Sequence, residues 1–258
     1  MSREPVYTSA IGAGRAMFAG LRVRRVVRGA ENIPDVGGAV IAMTHFGYLE
    51  FALVEWATYL HNRRRIRFMA KQSVFEKPVV GWLMRSMRHI PVNMKAGADA
   101  FAAAAVALRA GELIGVFPEA GVSASFTIRD FKTGAVRLAA QAGVPIIPVA
   151  VWGGQRLMTK NRKISLRERT GIPVLFSFGK PIIVTPDEDP AKTTALLKTT
   201  METLLAELQS DYPDKGAGQW WQPRALGGSA PTPEEAAEAD AVRDRRREAE
   251  RAARDARA

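Results

Sequence analysis

His45 and Glu50, five residues apart in the stretch MTHFGYLEF, are the first pair in this chain whose types can do chemistry. A histidine held by a carboxylate keeps one ring nitrogen protonated and leaves the other free to take a proton from a hydroxyl. The spacing alone leaves two readings open. On one regular helix, five residues turn a side chain through about 500°, so the pair would point about 140° apart and never meet. If His45 instead lies on the loop entering a helix and Glu50 in its first turns, the imidazole folds over the carboxylate. Otherwise the two are polar residues at the mouth of an ordinary helix. The apolar run AVIA just upstream reads as a buried strand, and open α/β sheets place their sites beyond the carboxyl ends of such strands.

Rival chemistry is scarce. With no cysteine, the chain has no disulfide framework, thiolate zinc site or cysteine nucleophile. His61 reads as a solvated residue at a helix end, and His89 as an ordinary surface or core histidine. No histidine pair stands at ligand spacing, so no metal is expected. A second stretch, GVFPEAGVS at 115–123, leaves a strand through Phe-Pro-Glu and ends in small residues. Backbone amides in a turn of this kind can point at one oxygen, and a buried Glu119 finds partners among them. FKTGAVRLA at 131–139 and GVPIIPVAVWG at 143–153 follow.

The elements that must position these residues come from periodicity. GAVIAM, RIRFMA, RHIPV, ELIGVFP, VPIIPVAVW and PVLFSFG are apolar, β-branched runs of strand length. Between them YLEFALVEWATYLH, VFEKPVVGWLMRSM, AGADAFAAAAVALRA and FKTGAVRLAAQAG have helical spacing, and DEDPAKTTALLKTTMETLLAELQSDY predicts a last packed helix. Strand and helix alternating at this pace predict an α/β fold, a single domain with a mostly parallel central sheet flanked by helices.

Taken in order, these segments resemble the glycerolipid acyltransferase family, whose best-known members are the 1-acylglycerol-3-phosphate acyltransferases. The family's His-x4-Asp motif is similar to HFGYLE here, with Glu50 for Asp. Its Phe-Pro-Glu-Gly-Thr-Arg-Ser motif is similar to FPEAGVS. Its Phe-Lys-x-Gly and Val-Pro-Ile-x-Pro-Val segments match Phe131 to Gly134 and Val144 to Val149. The resemblance spans about residues 25–210. It implies that His45 is the general base, oriented by Glu50, and that an acceptor hydroxyl attacks a fatty acyl thioester on coenzyme A or acyl carrier protein. Glu119 takes a structural and acceptor-positioning role, with Ala120 and Gly121 in the substrate-binding turn whose amides face the oxyanion. The default acceptor is 1-acylglycerol-3-phosphate, giving phosphatidic acid, and no cofactor is implied beyond the acyl thioester.

Two positions depart from the family pattern. Met94 and Val122 stand where it usually carries arginines that hold the acceptor's phosphate. Each charge-assisted hydrogen bond lost there is worth about 1.5–3 kcal/mol. Either other cations replace them, with Lys71, Arg85, Arg88, Arg129 and Lys132 as candidates, or the acceptor is a different alcohol, such as a glycolipid. A silent lipid-binding protein on the same fold is the reading of another class. An acyl chain also requires an apolar groove, for which AFAAAAVALRA and VVGWLMRSM are candidates, although both read equally as core.

The net charge of +11 falls within residues 1–212, because acidic and basic residues balance from Pro213 onward. Such a field draws anionic lipid, anionic small molecules or nucleic acid. The basic cluster HNRRRIRF would suit nucleic acid, but one such cluster beside a strand is more often a solvated or lipid-facing surface, and no nucleic acid is expected. Residues 1–30 form a basic amphipathic segment that could lie on lipid, residues 31–212 the acyltransferase domain, and residues 213–258 a Pro/Gly linker with a charged tail, disordered or a solvated helix. Trp220 and Trp221 either pack back on the domain or insert at a membrane interface. No stretch of about 18 uncharged apolar residues occurs, so the expected location is cytoplasmic, peripheral on the inner face of the cell membrane.

Overall fold

The apolar runs become strands because they are buried on both faces of a largely parallel sheet, where β-branched side chains pack well. A computed structural model describes residues 4–93 and 97–255. Its strands are β1 (Arg24–Arg28), β2 (Ala39–Met43), β3 (Ile66–Lys71), β4 (Ile90–Val92), β5 (Leu113–Val116), β6 (Ile146–Trp152) and β7 (Pro173–Phe178). They form one seven-stranded sheet in the order β1-β7-β6-β2-β5-β3-β4. Every neighbouring pair is parallel except β6 with β7.

Helices cover both faces: α1 (Pro5–Gly20), α2 (Glu50–Asn62), a short α3 (Gln72–Phe75), α4 (Pro78–Ser86), α5 (Gly97–Arg109), α6 (Gly134–Ala142), α7 (Pro190–Ser210) and α8 (Pro233–Asp255). Alternation along β2 separates the two cores. Ile41 and Met43 join Phe18, Leu53 and Val54 from α1 and α2, whereas Val40 and Ala42 join Ala104, Leu138 and Met201 from α5, α6 and α7. The segment VFEKPVVGWLMRSM, which reads as one helix, breaks into α3 and α4. Pro78 starts α4, and Gly81 lies so near the Phe75 carbonyl that an added Cβ would sit 1.9 Å from its oxygen.

The boundary expected at residue 31 does not divide the fold. α1 buries Tyr7, Ile11 and Phe18, and β1 pairs along β7 as the sheet's edge strand. The stretch after Tyr212 is not a free linker either. Trp221 is buried with Trp152, Leu175 and Leu208, and its carbonyl accepts from Gln155 Nε2 at 3.2 Å. Trp220 packs partly buried against the same cluster, with the Arg162 guanidinium 4.2 Å from its ring centre. Indole burial there outweighs the Pro/Gly composition that suggested a linker. α8 is a mostly solvated helix whose inward stripe is Ala236, Asp240 and Arg243.

Candidate active site

Because β6, β2 and β5 are parallel neighbours, their carboxyl ends at Trp152, Met43 and Val116 lie side by side, and the loops leaving them meet. His45 lies on the loop after β2, and Glu50 opens α2. The loop reverses the chain, so the 140° divergence of a continuous helix does not apply. His45 Nδ1 comes within 3.4 Å of Glu50 Oε2. A carboxylate only accepts, so the ring donates from Nδ1 and leaves Nε2 as the free acceptor. Glu50 is wholly buried, and burial raises its pKa against the pull of His45 and of the loop amides. The Phe46 N–H donates to both of its oxygens, at 3.0 and 2.8 Å.

Neighbouring loops clamp this one. The Thr159 hydroxyl donates to the Phe46 carbonyl at 2.7 Å, and the Tyr48 N–H to the Met158 carbonyl at 2.9 Å. At Gly47 the two backbones approach so closely that a Cβ would lie 2.6 Å from Met158 O. From the β5 side, Phe117 stacks on the His45 ring with centroids 3.9 Å apart, and the Ser123 N–H donates to the His45 carbonyl at 2.8 Å. Glu119 bridges the loops: Oε1 accepts the His45 N–H and Oε2 the Arg129 N–H, both at 3.0 Å. Its burial pushes the carboxyl up to about 8 against the two N–H donors, with the charge of Glu50 adding to the rise. Ala120 has φ +57°, a left-handed conformation where the resembled motif has glycine. The N–H groups of Gly121 and Val122 donate to no group among the described residues, so the turn has two free donors beside the imidazole.

The expected phosphate-binding cations separate. Arg129 lies at the site, its Nη1 3.6 Å from where a Gly121 Cβ would be. Lys132 donates its N–H to the Pro118 carbonyl at 3.0 Å, beside the same turn, with its side chain in solvent. Lys71 is exposed at the carboxyl end of β3, on the same edge of the sheet. Arg88 does not belong to the site. It precedes β4 at the sheet's amino edge, where it pairs with Glu112 at 2.9 Å beside the bidentate Arg67–Glu4 pair. Parallel pairing puts it at the wrong end of its strand. Arg85 spends its guanidinium on the Phe75 carbonyl. Val122 is buried, and Met94 lies outside the described residues. Lys160, which no motif marks, follows Thr159 and ends 2.5 Å from Asp240 of α8.

An apolar cavity of about 160 Å³ opens beside α2, lined by Ile11, Phe18, Phe51, Trp56, Leu83 and Met87. α4 thus contributes to it, while the Ala-rich α5 is core and does not. Tyr7, Arg15, Glu55 and His89 bring polar groups to its lining. Burial pushes Glu55 up to about 8 and, with the Arg67 charge, His89 down to about 4.

A histidine and a carboxylate paired beyond the carboxyl ends of central parallel strands put a group able to accept a proton where open α/β sheets carry their sites. Comparison with known proteins names the family: the acyltransferase family model matches residues 24–152, half of the chain, and the protein belongs to that family. The chloroplastic 1-acyl-sn-glycerol-3-phosphate acyltransferase BAT2 of Brassica napus is 27% identical over 136 residues, 51% of this chain and 38% of that protein. The 1-acyl-sn-glycerol-3-phosphate acyltransferase of Bacillus subtilis (strain 168) is 29% identical over 138 residues, 51% of this chain and 66% of that one. The chain therefore spans less than two thirds of the length of these curated relatives. The crystal structure of the 1-acyl-sn-glycerophosphate (LPA) acyltransferase PlsC from Thermotoga maritima superposes with a TM-score of 0.66 over 80% of this chain and 81% of that one. At 23% identity it shares the fold.

Proposed function

We propose that the protein transfers a fatty acyl group from a thioester, on coenzyme A or acyl carrier protein, to a hydroxyl of a lipid acceptor, with 1-acylglycerol-3-phosphate as acceptor and phosphatidic acid as product. The observation that carries this reading is the His45–Glu50 pair, with Nε2 left free at the mouth of the loop cluster. Nε2 takes the acceptor's proton as the hydroxyl oxygen attacks the thioester carbonyl. Negative charge moves to the carbonyl oxygen, where the Gly121 and Val122 N–H groups are suited to receive it. Collapse expels the thiolate, and the imidazolium returns the proton to it. No acyl-enzyme forms, since the acceptor itself is the nucleophile. The cavity beside α2 suits part of an acyl chain.

We assign the lipid-facing surface to α4. Val79, Val80 and Trp82 are exposed there, with Lys71 and Lys77 close in sequence and exposed, a pattern complementary to an anionic bilayer. Among the described residues no helix is long and apolar enough to cross a membrane. Peripheral attachment brings the acceptor to the site without a span.

The test is acyl transfer on vesicles by purified protein, using long-chain acyl-CoA with 1-acylglycerol-3-phosphate or 1-acylglycerol. Turnover of the phosphate acceptor should fall by about a hundred- to ten-thousand-fold in His45→Ala. Turnover of the phosphate-free acceptor alone would move the assignment to a neutral alcohol. Folded protein with no turnover of either would end the acyltransfer reading.

A further inference from the structure

Asp240 is where α8 touches the catalytic edge. Its Oδ1 lies 2.5 Å from Lys160 Nζ and 2.8 Å from Arg243 Nη2, and its Oδ2 lies 3.4 Å from Arg129 Nη1. Three cations thus converge on one carboxylate. The Lys160 side chain is only 10% exposed, so without an anion it would be a nearly buried ammonium facing two guanidinium groups. Burial, with Arg243 and Arg129 adding to it, lowers the Lys160 pKa even with Asp240 present, which marks a site short of negative charge.

The two cations outside α8 are anchored on the catalytic loops. The Arg129 N–H binds Glu119, whose other oxygen holds the His45 N–H, and Lys160 follows Thr159, whose hydroxyl holds the Phe46 carbonyl. An anion between Arg129 and Lys160 therefore lies beside the site of proton transfer. A phosphate monoester carries close to two negative charges and three acceptor oxygens, against one charge for a carboxylate, and so matches the cations better than Asp240 does. α8 itself is lightly held. Its inward stripe has one buried apolar side chain, Ala236, and its first turn adds an exposed Arg224–Glu235 pair.

We propose that Arg129 and Lys160 form the phosphate-monoester site of the acyl acceptor, in place of the arginines absent at Met94 and Val122, and that Asp240 occupies it as an internal counter-anion which the substrate displaces together with α8. This rests on the acyltransfer reading. Proteolysis, which needs no turnover, separates the two.

Limited trypsin cleavage after Arg243, Arg245 and Arg246 reports release of α8 without any need for turnover. Glycerol 3-phosphate should speed that cleavage and glycerol should not, and Asp240→Asn should be cleaved fast without either. In acyl transfer, Asp240→Asn should lower KM for 1-acylglycerol-3-phosphate relative to 1-acylglycerol by about tenfold, and Lys160→Ala should raise it by about tenfold, the size of one charge-assisted hydrogen bond. Lys160→Ala should also abolish the effect of glycerol 3-phosphate on cleavage. Cleavage indifferent to glycerol 3-phosphate, or a KM ratio unmoved by both substitutions, overturns the proposal. If no acceptor is acylated at all, the acyltransfer reading falls, and the anion site is judged by cleavage alone.

Discussion

Glu119 accepts the backbone N–H of His45 at 3.0 Å across 74 residues of sequence, so the carboxyl group of one loop sets the backbone of the other. Its second oxygen takes the Arg129 N–H, leaving both oxygens committed to holding loops. This makes Glu119 a positioning residue. Glu119→Gln turns an N–H donor toward one of these amides and should cost about 1–3 kcal/mol of stability. It should also lower kcat about tenfold or more with KM little changed, because a misplaced imidazole loses rate before it loses binding. Chemical denaturation beside steady-state kinetics checks both, and a KM defect alone would place Glu119 in acceptor binding instead.

Glu50→Gln tests the tautomer argument. An amide in place of the carboxylate presents a donor as well as an acceptor to His45 Nδ1 and the Phe46 N–H, so the ring is no longer held with Nε2 free. The expected outcome is a kcat loss of about ten- to a hundredfold, with the acyl-donor KM retained. Glu50→Asp should recover part of the rate, whereas equal rates for Gln and wild type would remove Glu50 from the mechanism.

Glu55 predicts a pH dependence of stability. Its ordinary value is 4.5 and its folded value about 8, so between those limits the folded chain keeps a proton that the unfolded chain gives up. The stabilisation is full below 4.5 and is lost as pH rises through 8, at up to about 1.4 kcal/mol per unit. Glu119 has the same sign and window, while His89, lowered to about 4, works the other way between its folded and ordinary values of about 4 and 6.5. Urea midpoints for Glu55→Gln and wild type across pH 5 to 8 should therefore diverge, with the wild type losing more on the alkaline side. Parallel curves would show Glu55 ionised throughout.

The lipid-facing assignment of α4 predicts that Trp82→Asp weakens binding to anionic vesicles by about tenfold or more, since a half-exposed indole gives up its transfer into the interface. Activity on a short-chain acceptor below its micelle concentration should persist. Cosedimentation with vesicles, compared with Met17→Asp on α1, distinguishes α4 from the N-terminal segment.

Much of the architecture was legible because burial on both sides of a parallel sheet leaves a one-dimensional mark. AVIAM and IIPVAVW are continuous apolar runs with every residue buried, and such runs have few other uses. His45 and Glu50 were legible as candidates, but their spacing allowed two geometries until the loop was seen to reverse the chain. Arg88 misled for a related reason: lying near a motif along the chain says nothing about which end of a parallel strand a residue occupies.

Residue types and their periods along the chain determined the fold class, the short set of candidate residues that includes His45 and Glu50, and the lack of any thiol, because these follow from local patterning and side-chain inventory. Which charged groups meet was decided only by tertiary structure. Lys160 and Asp240 are 80 residues apart in a stretch without motif, and no local rule could bring them together. The same holds for Trp221, whose surroundings in sequence are Pro, Gly and polar, yet which is buried against Trp152 and Leu208. Packing of that indole holds the stretch after Tyr212 against residues of β6 and β7, and desolvation in the folded state, which one-dimensional patterning does not encode, is what the half-buried Lys160 meets by pairing with Asp240.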